Sequence, residues 1–346
     1  MRAPPTPTSQ PRQTGGAWRS RSRRAGLYQL IAVVLICLLL GFLAYNTSQN
    51  MRARGIQSGF DFLLQPAGFE IGESLWNFDS SEAYWRAFAA GLGNTLRVAL
   101  LGIVLTTLLG TLLGVGRFSR SMLVRGLCSA YVELFRNIPL LLQLLMWYLL
   151  FTVLLPGIDA AWQAGPFFLS KGGLNFPILG VSVWNGLSGS APWVVDWPVK
   201  GEFSVEHGGA LTPEFLALLL GLTVYTAAFV AEVVRAGIQS VAKGQQEAAA
   251  ALGLRRALSL RLVVLPQALR AIIPPMTNQY LNLTKNSSLA VAIGYPDLLS
   301  IANTAINQTG RALECISVVM AVYLCTSLVT SFLMNHFNQR AALKSR

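Results

Sequence analysis

The chain has 346 residues, of which 53% are apolar and only 12% charged, with a mean hydropathy of +0.49. A water-soluble domain carries about twice that charge density, so a soluble globular protein is excluded. The 27 lysines and arginines outnumber the 15 acids and give a net charge of +12; in a membrane protein such an excess belongs to cytoplasmic loops rather than to a nucleic-acid surface.

Residues 1 to 25 hold four prolines and six arginines with no acid, which reads as a disordered basic tail. From Leu27 to Asn46 the chain runs uncharged for 20 residues, about what a helix needs to cross a bilayer. The Arg23-Arg24 pair lacks the rest of a twin-arginine signal, and the apolar run ends without an Ala-x-Ala site. A retained transmembrane helix is therefore expected, not a cleaved leader. Further apolar spans follow at about 88 to 115, 130 to 156, 213 to 236 and 312 to 335, with a weaker one at 274 to 303. Six helices place both termini on one side. The segments 1 to 25, 116 to 136, 235 to 270 and 336 to 346 hold 19 of the 27 bases, whereas 47 to 86 and 156 to 214 hold five bases and ten of the 15 acids. That asymmetry puts both termini in the cytoplasm. Trp162, Trp184, Trp193 and Trp197 in the external segment 156 to 214 suit an interfacial belt or an external partner.

Cys37, Cys128, Cys315 and Cys325 are widely spaced without a CxxC pair, and His207 and His336 have no nearby partners in sequence. This pattern argues against a disulfide framework, a zinc site or histidine-based chemistry. Cys315 and Cys325 are expected to pack as small apolar residues. Gly110 and Gly114 have the small-xxx-small spacing of close helix contact. Nothing in the chain matches the GxxxxGK[ST] loop that cradles nucleotide phosphates, so ATP chemistry has to come from elsewhere.

The segment after the span at 213 to 236 is the most informative. Gln246 to Leu252 is a strong helix former, Gly253 permits a turn with positive φ, and a second short helix is expected to run until Pro266. On spacing alone this is a helical hairpin at the membrane surface, which an ordinary loop would also satisfy. Glu247-Ala248-Ala249, Gly253, Val263 and Leu265-Pro266 nevertheless resemble the signature cytoplasmic loop of permease subunits of ATP-binding-cassette importers. Glu133 to Gln143, Tyr225 to Gln239 and Asn278 to Leu289 look like the corresponding stretches of its polar amino-acid (histidine/glutamine) branch. The likeness covers roughly residues 88 to 336. Arg54-Gly55-Ile56 and Gly59 to Phe62 resemble the extended N-terminal region of general L-amino-acid permeases.

The resemblance implies an all-α membrane protein with the type I importer permease fold, about six transmembrane helices and cytoplasmic termini. The expected organisation is a basic tail at 1–25, the first helix and an external segment at 26–87, a permease core at 88–336 with a coupling loop at 238–270, and a basic tail at 337–346. It also implies ATPase subunits that bind ATP and Mg and dock on the coupling loop, a second permease subunit, heterodimeric by analogy, an external solute-binding protein, and L-amino acids as substrate. The expected membrane is the bacterial inner membrane, and no nucleic acid and no cofactor of the chain's own are expected. The competing class is an ion-gradient-driven secondary transporter, which would show internal repeats and broken helices.

Charged and amide groups inside spans are expensive and mark pathways or gates. Asn278, Asn282, Lys285 and Asn286 recur at i, i+4, i+7 and i+8 as one polar stripe, suited to a pathway or to interhelical hydrogen bonds. Glu232 with Arg235, and Glu133 with Arg136, are spaced at i and i+3 for ion pairs of a structural or gating kind. Arg97, Arg311 and Glu314 have charges that suit an amino acid's carboxylate and ammonium.

Overall fold

The computed structural model describes residues 21–53, 55, 58–181, 193–201 and 205–341. Residues 1–20 of the basic tail, Arg54, Ile56, Trp184 and the end of the C-terminal tail at 342–346 lie outside the described residues. The chain divides into two units, Met1–Ser58 and Gly59–Arg346. The first contains one long helix, α1 (Arg21–Ala53), whose stretch Ala25–Ala53 is apolar and long enough to span a membrane.

In the second unit the helices are α2 (Tyr84–Gly116), α3 (Met122–Asn137), α4 (Leu140–Leu149), α5 (Pro213–Gln239), α6 (Lys243–Ala251), α7 (Arg256–Ser259), α8 (Leu265–Asn286), α9 (Leu298–Thr309) and α10 (Ala312–Ala341). Among the described residues five helices are long and apolar enough to cross a bilayer, or six if the bent pair α3 and α4 counts as one span. The bend of 103° falls at Ile138-Pro139. Proline has no N–H to continue the ladder, and it pushes the preceding residue into extended backbone; Ile138 sits at φ −97°, ψ 129°. The buried Gln143 amide nitrogen donates to the carbonyls of Phe135 (3.0 Å) and Ile138 (2.9 Å), which satisfies those two acceptors at the break.

The core is the parallel pair α2 and α5. Gly110 and Gly114 face Val230 and Ala231: a Cβ on Gly110 would lie 2.5 Å from Val230 Cγ1, and one on Gly114 would lie 2.8 Å from the Ala231 carbonyl. The small-xxx-small expectation therefore describes a real close approach. Helix α8 runs antiparallel to both, with Leu283 against Gly102, the Tyr280 hydroxyl 2.8 Å from Thr107 Oγ1, and Ile272 against Gly237. The fifth span starts earlier than the sequence suggests. It covers Ala257–Ile293, and the interval 274 to 303 straddles a turn at Gly294 (φ +80°) before the separate helix α9.

Between α4 and α5 the chain makes short strands that hydropathy does not announce. Strands β1 (Trp162–Ala164), β2 (Phe167–Ser170), β3 (Gly173–Phe176) and β8 (Gly209–Leu211) form one antiparallel sheet in the order β1-β2-β3-β8. Two smaller pairs join β4 (Ile178–Val181) to β5 (Trp193–Asp196), and β6 (Val199–Lys200) to β7 (Val205–Glu206). Trp162 and Trp197 are exposed there. Residues 59–83 form a strap closed on itself by Ala67 N–H to the Glu82 carbonyl and Tyr84 N–H to the Gln65 carbonyl. Its Phe62 and Ala67 are buried with Tyr84, Phe88, Leu298, Ile301 and Cys315, so Cys315 is a packing residue as expected.

Candidate functional site

Three polar features stand out from the apolar bundle: a hairpin at one end, a stripe along α8, and the ionic groups at both ends of α2 and α5. The hairpin's first arm is α6, which ends at Leu252 and turns through Gly253 at φ +74°. Leu254 N–H donates to the Ala249 carbonyl (3.1 Å) and Gly253 N–H to the Ala250 carbonyl (2.9 Å), the two bonds of a Schellman turn. Ala249 is buried under it, whereas Glu247, Ala248 and Leu252 are exposed. The turn expected at Gly253 is thus present.

The second arm does not stop at Pro266. Helix α7 passes through a π-helical stretch, Leu260–Val264, straight into α8, with Pro266 in the first turn of α8 and Pro274 and Pro275 inside it. A proline ring clashes with the carbonyl four residues back, which for Pro266 is Leu262. The wider π turn there relieves that contact, so the helix continues. Val264, Ala268, Ile272 and Met276 pack this arm onto Val230, Val234 and Val241. The hairpin is therefore the rooted end of a membrane helix.

At the same end of the bundle, Glu232 of α5 lies among arginines. Arg117, which caps α2, approaches it to 2.5 Å, Arg235 Nε contacts both carboxylate oxygens at 3.1 Å, and Arg136 of α3 stands 4.0 Å away. The Glu232–Arg235 pair is present. Glu133 is exposed, and among the described residues no ion pair joins it to Arg136, whose guanidinium instead stacks over the Phe229 ring at 5.3 Å. The Glu133–Arg136 expectation is corrected by that competition: the aromatic face and the carboxylate of α5 outweigh an exposed i,i+3 partner.

On α8, the side facing α2 and α5 buries Ala268, Ile272, Met276, Leu283 and Thr284, while Asn278, Asn282 and Lys285 are exposed and Asn286 is half-buried. The structure brings the four together on a face that the rest of the unit leaves bare.

At the other end, the strap supplies partners that the sequence reading missed. Glu73 Oε1 is 2.6 Å from Arg97, Glu73 Oε2 accepts from Thr212 (2.5 Å), and Asn94 of α2 donates to the Glu73 and Pro296 carbonyls. Arg97 also lies 4.3 Å over the Phe215 ring. Arg311 grips Asp61 and donates to the Gly59 carbonyl (2.8 Å), while Gly59 N–H donates to Glu314 (2.8 Å). The Arg311 hydrogen bond holds the Asp61 carboxyl below the usual range. Arg97, Arg311 and Glu314 are therefore engaged by the chain itself. The available signal was Arg97: a charge in an apolar helix requires a carboxylate from another segment. Asp297 caps α9 by accepting from Ser300 N–H (2.8 Å), and burial pushes its carboxyl up to about 7. Among the described residues no group of three or more His, Cys, Asp or Glu is placed to hold a metal ion.

The family described as "Binding-protein-dependent transport system inner membrane component" matches residues 106–343. The chain is 40% identical to the general L-amino acid transport system permease protein AapQ of Rhizobium johnstonii, over 96% of this chain and 97% of that one. It is 42% identical to the putative amino-acid ABC transporter permease protein YhdX of Escherichia coli, over 93% and 95%. Among solved structures, one titled "Crystal structure of an amino acid ABC transporter with histidines" superposes with a TM-score of 0.53 at 28% identity, covering 74% of this chain and 95% of that one. The helical permease architecture expected above is thus the one found. Hairpin, bundle and matched region together give one answer: the chain belongs to the binding-protein-dependent transport system inner membrane components, as a multi-pass permease protein of the inner membrane.

Proposed function

We propose that the protein is a permease subunit of an ATP-driven importer of L-amino acids. It performs no catalysis itself; separate ATPase subunits bind ATP and Mg and dock on the 238–270 loop. A second, related permease subunit completes the path, and an external solute-binding protein delivers substrate. The hairpin end faces the cytoplasm in this reading, which the distribution of bases supports. The carrying observation is the Schellman-closed hairpin, built on Glu247, Ala248, Ala249 and Gly253 and continuous through Leu265-Pro266 with α8. A push on that wedge travels along a single rod to the polar face of Asn278, Asn282, Lys285 and Asn286, which lines the path. The charged cluster of Glu232, Arg235, Arg117 and Arg136 ties α2, α3 and α5 at the end where the push arrives. Support for the substrate class is the near-full-length similarity to relatives named as amino-acid permeases.

The test is uptake of labelled L-glutamine and L-glutamate in cells with and without the gene, competed by unlabelled neutral, acidic and basic amino acids. Loss of uptake together with broad competition is expected. Unchanged uptake overturns the amino-acid assignment.

A further inference from the structure

The strap end of the second unit holds a cavity of about 400 Å³. Its walls are the strap from Phe69 to Glu73, the start of α5 at Thr212 and Glu214, and α9 at Ser300, Ile301 and Thr304. These walls are fixed from behind. Glu73 Oε1 is 2.6 Å from Arg97 of α2 and its Oε2 accepts from Thr212 (2.5 Å), while the Asn94 amide nitrogen donates to the carbonyls of Glu73 (2.7 Å) and Pro296 (2.9 Å). Held in this way, the cavity exists before any ligand arrives, and its volume falls within the range of ligand sites.

Three carboxylates line it, Glu70, Glu73 and Glu214, and among the described residues no lysine, arginine or histidine does. Arg97 neutralises Glu73 from outside the cavity. Glu70 is exposed and Glu214 is half-buried in the first turn of α5, and among the described residues neither forms an ion pair. Asn94, bound to two lining residues, is fully buried and its Oδ1 has no hydrogen-bond partner among the described residues. Phe69, Ile71 and Ile301 add apolar surface. The site thus combines an acceptor without a donor, carboxylates without a cation, and apolar sides. That is the complement of a lysine or arginine side chain, whose stem packs on apolar surface while its head donates to carboxylates. The surroundings carry the same sign, since the segments 47 to 86 and 156 to 214 hold ten acids against five bases. Such a field attracts a basic protein surface and repels lipid phosphates.

We propose that this cavity is the socket in which the external solute-binding protein seats a lysine or arginine side chain when it docks. Glu70 and Glu214 take the cationic head, and Phe69, Ile71 and Ile301 take the stem. This rests on the importer reading above, in which the strap end is the external end.

The test measures the Kd between the complete complex in nanodiscs and the solute-binding protein that supports its uptake of labelled L-glutamine. The double variant Glu70→Gln/Glu214→Gln is expected to raise Kd about tenfold or more, the weight of one charge-assisted hydrogen bond, at undiminished yield of complex. Its Kd should also depend less steeply on ionic strength than that of the wild type. Thr304→Trp, which fills the cavity and keeps both carboxylates, is expected to raise Kd by a similar factor. Glu206→Gln, an exposed acid of β7 that does not line the cavity, is expected to bind like wild type. Wild-type Kd and salt dependence in the double variant overturn the proposal while leaving the importer reading intact. A loss in Glu206→Gln equal to that in the double variant overturns it in favour of a diffuse acidic surface. Wild-type Kd in Thr304→Trp places the carboxylates' partner outside the cavity and overturns it as well. A double variant that no longer co-purifies with its second permease subunit overturns it in favour of a subunit interface. Absence of amino-acid uptake by the wild-type complex with any binding protein overturns both readings.

Discussion

The two ends of the bundle are finished in opposite ways. At the strap end the chain closes itself: Glu73 and Asp61 come from the strap to neutralise Arg97 and Arg311, and Phe62 and Ala67 are buried against α2 and α9. At the hairpin end the only buried residue of α6 is Ala249, and Leu252 is left 81% exposed with Leu258, Leu260 and Leu262 beside it. A charge buried inside one chain must be neutralised by that chain, whereas an exposed apolar wedge on a rigid turn is surface for another molecule. The strap end neutralises its own arginines, and the hairpin end presents an apolar wedge for an ATPase partner.

The contact that both ends share should break first. Gly114→Leu forces a side chain into the α2–α5 crossing, where backbone oxygen already occupies the place of a Cβ, and overpacking of that kind costs about 3 kcal/mol or more. The folded protein is expected to be lost in size-exclusion profiles of the solubilised complex, while Gly126→Leu on α3, with open space around it in the same unit, has no such effect. Arg97→Met leaves Glu73 without its cation and should lower the stability of the solubilised complex by about 2 kcal/mol in a thermal unfolding assay. Adding Glu73→Gln should recover part of that loss; additive losses would mean that the two do not act as a pair.

Gly253→Val separates the ends more sharply. Its left-handed backbone strains a β-branched residue by about 1–2 kcal/mol, all of it local to the turn. The complex should assemble with normal yield and lose substrate-stimulated ATP hydrolysis. Full stimulation by loaded binding protein in this variant would contradict the coupling role. The smallest effect expected is a pH slope at the strap end. Burial favours protonated Asp297 in the folded state, with an unfolded value of 3.8 against about 7. Its contribution is therefore most favourable below pH 4, is lost as pH rises to about 7, and is level above. Asp297→Asn keeps an acceptor at the N-cap of α9 and should flatten thermal stability across that window.

The difference between the ends also explains what could be read from the sequence. The hairpin is local: a helix former, a glycine at the turn and a spaced Glu-Ala-Ala lie within about 20 residues, so Gly253 and the arm Gln246–Leu252 were found within a few residues of α6. The strap latches join positions as far apart as Asp61 and Arg311, and no local pattern encodes such pairs. Hydropathy averages over a window, so it found the spans but blurred the turn at Gly294 into the fifth of them. The strands between α4 and α5 are two to four residues long, too short for alternation to register. Helical spacing gave Glu232–Arg235 correctly and failed for Glu133–Arg136, because spacing states which residues can meet and not what competes for them. The polar stripe was read from spacing, and its exposure on the bare face of α8 came from the packing.

The claim that the hairpin end is the one an ATPase partner covers is tested most directly by thiol labelling. Leu252→Cys and Leu64→Cys, both on strongly exposed positions, are compared in a background with Cys37, Cys128, Cys315 and Cys325 replaced, with and without the ATPase subunits. The account predicts that a water-soluble maleimide labels Leu252→Cys only when the ATPase is absent and labels Leu64→Cys equally in both states. Equal labelling of Leu252→Cys with and without the ATPase would contradict it.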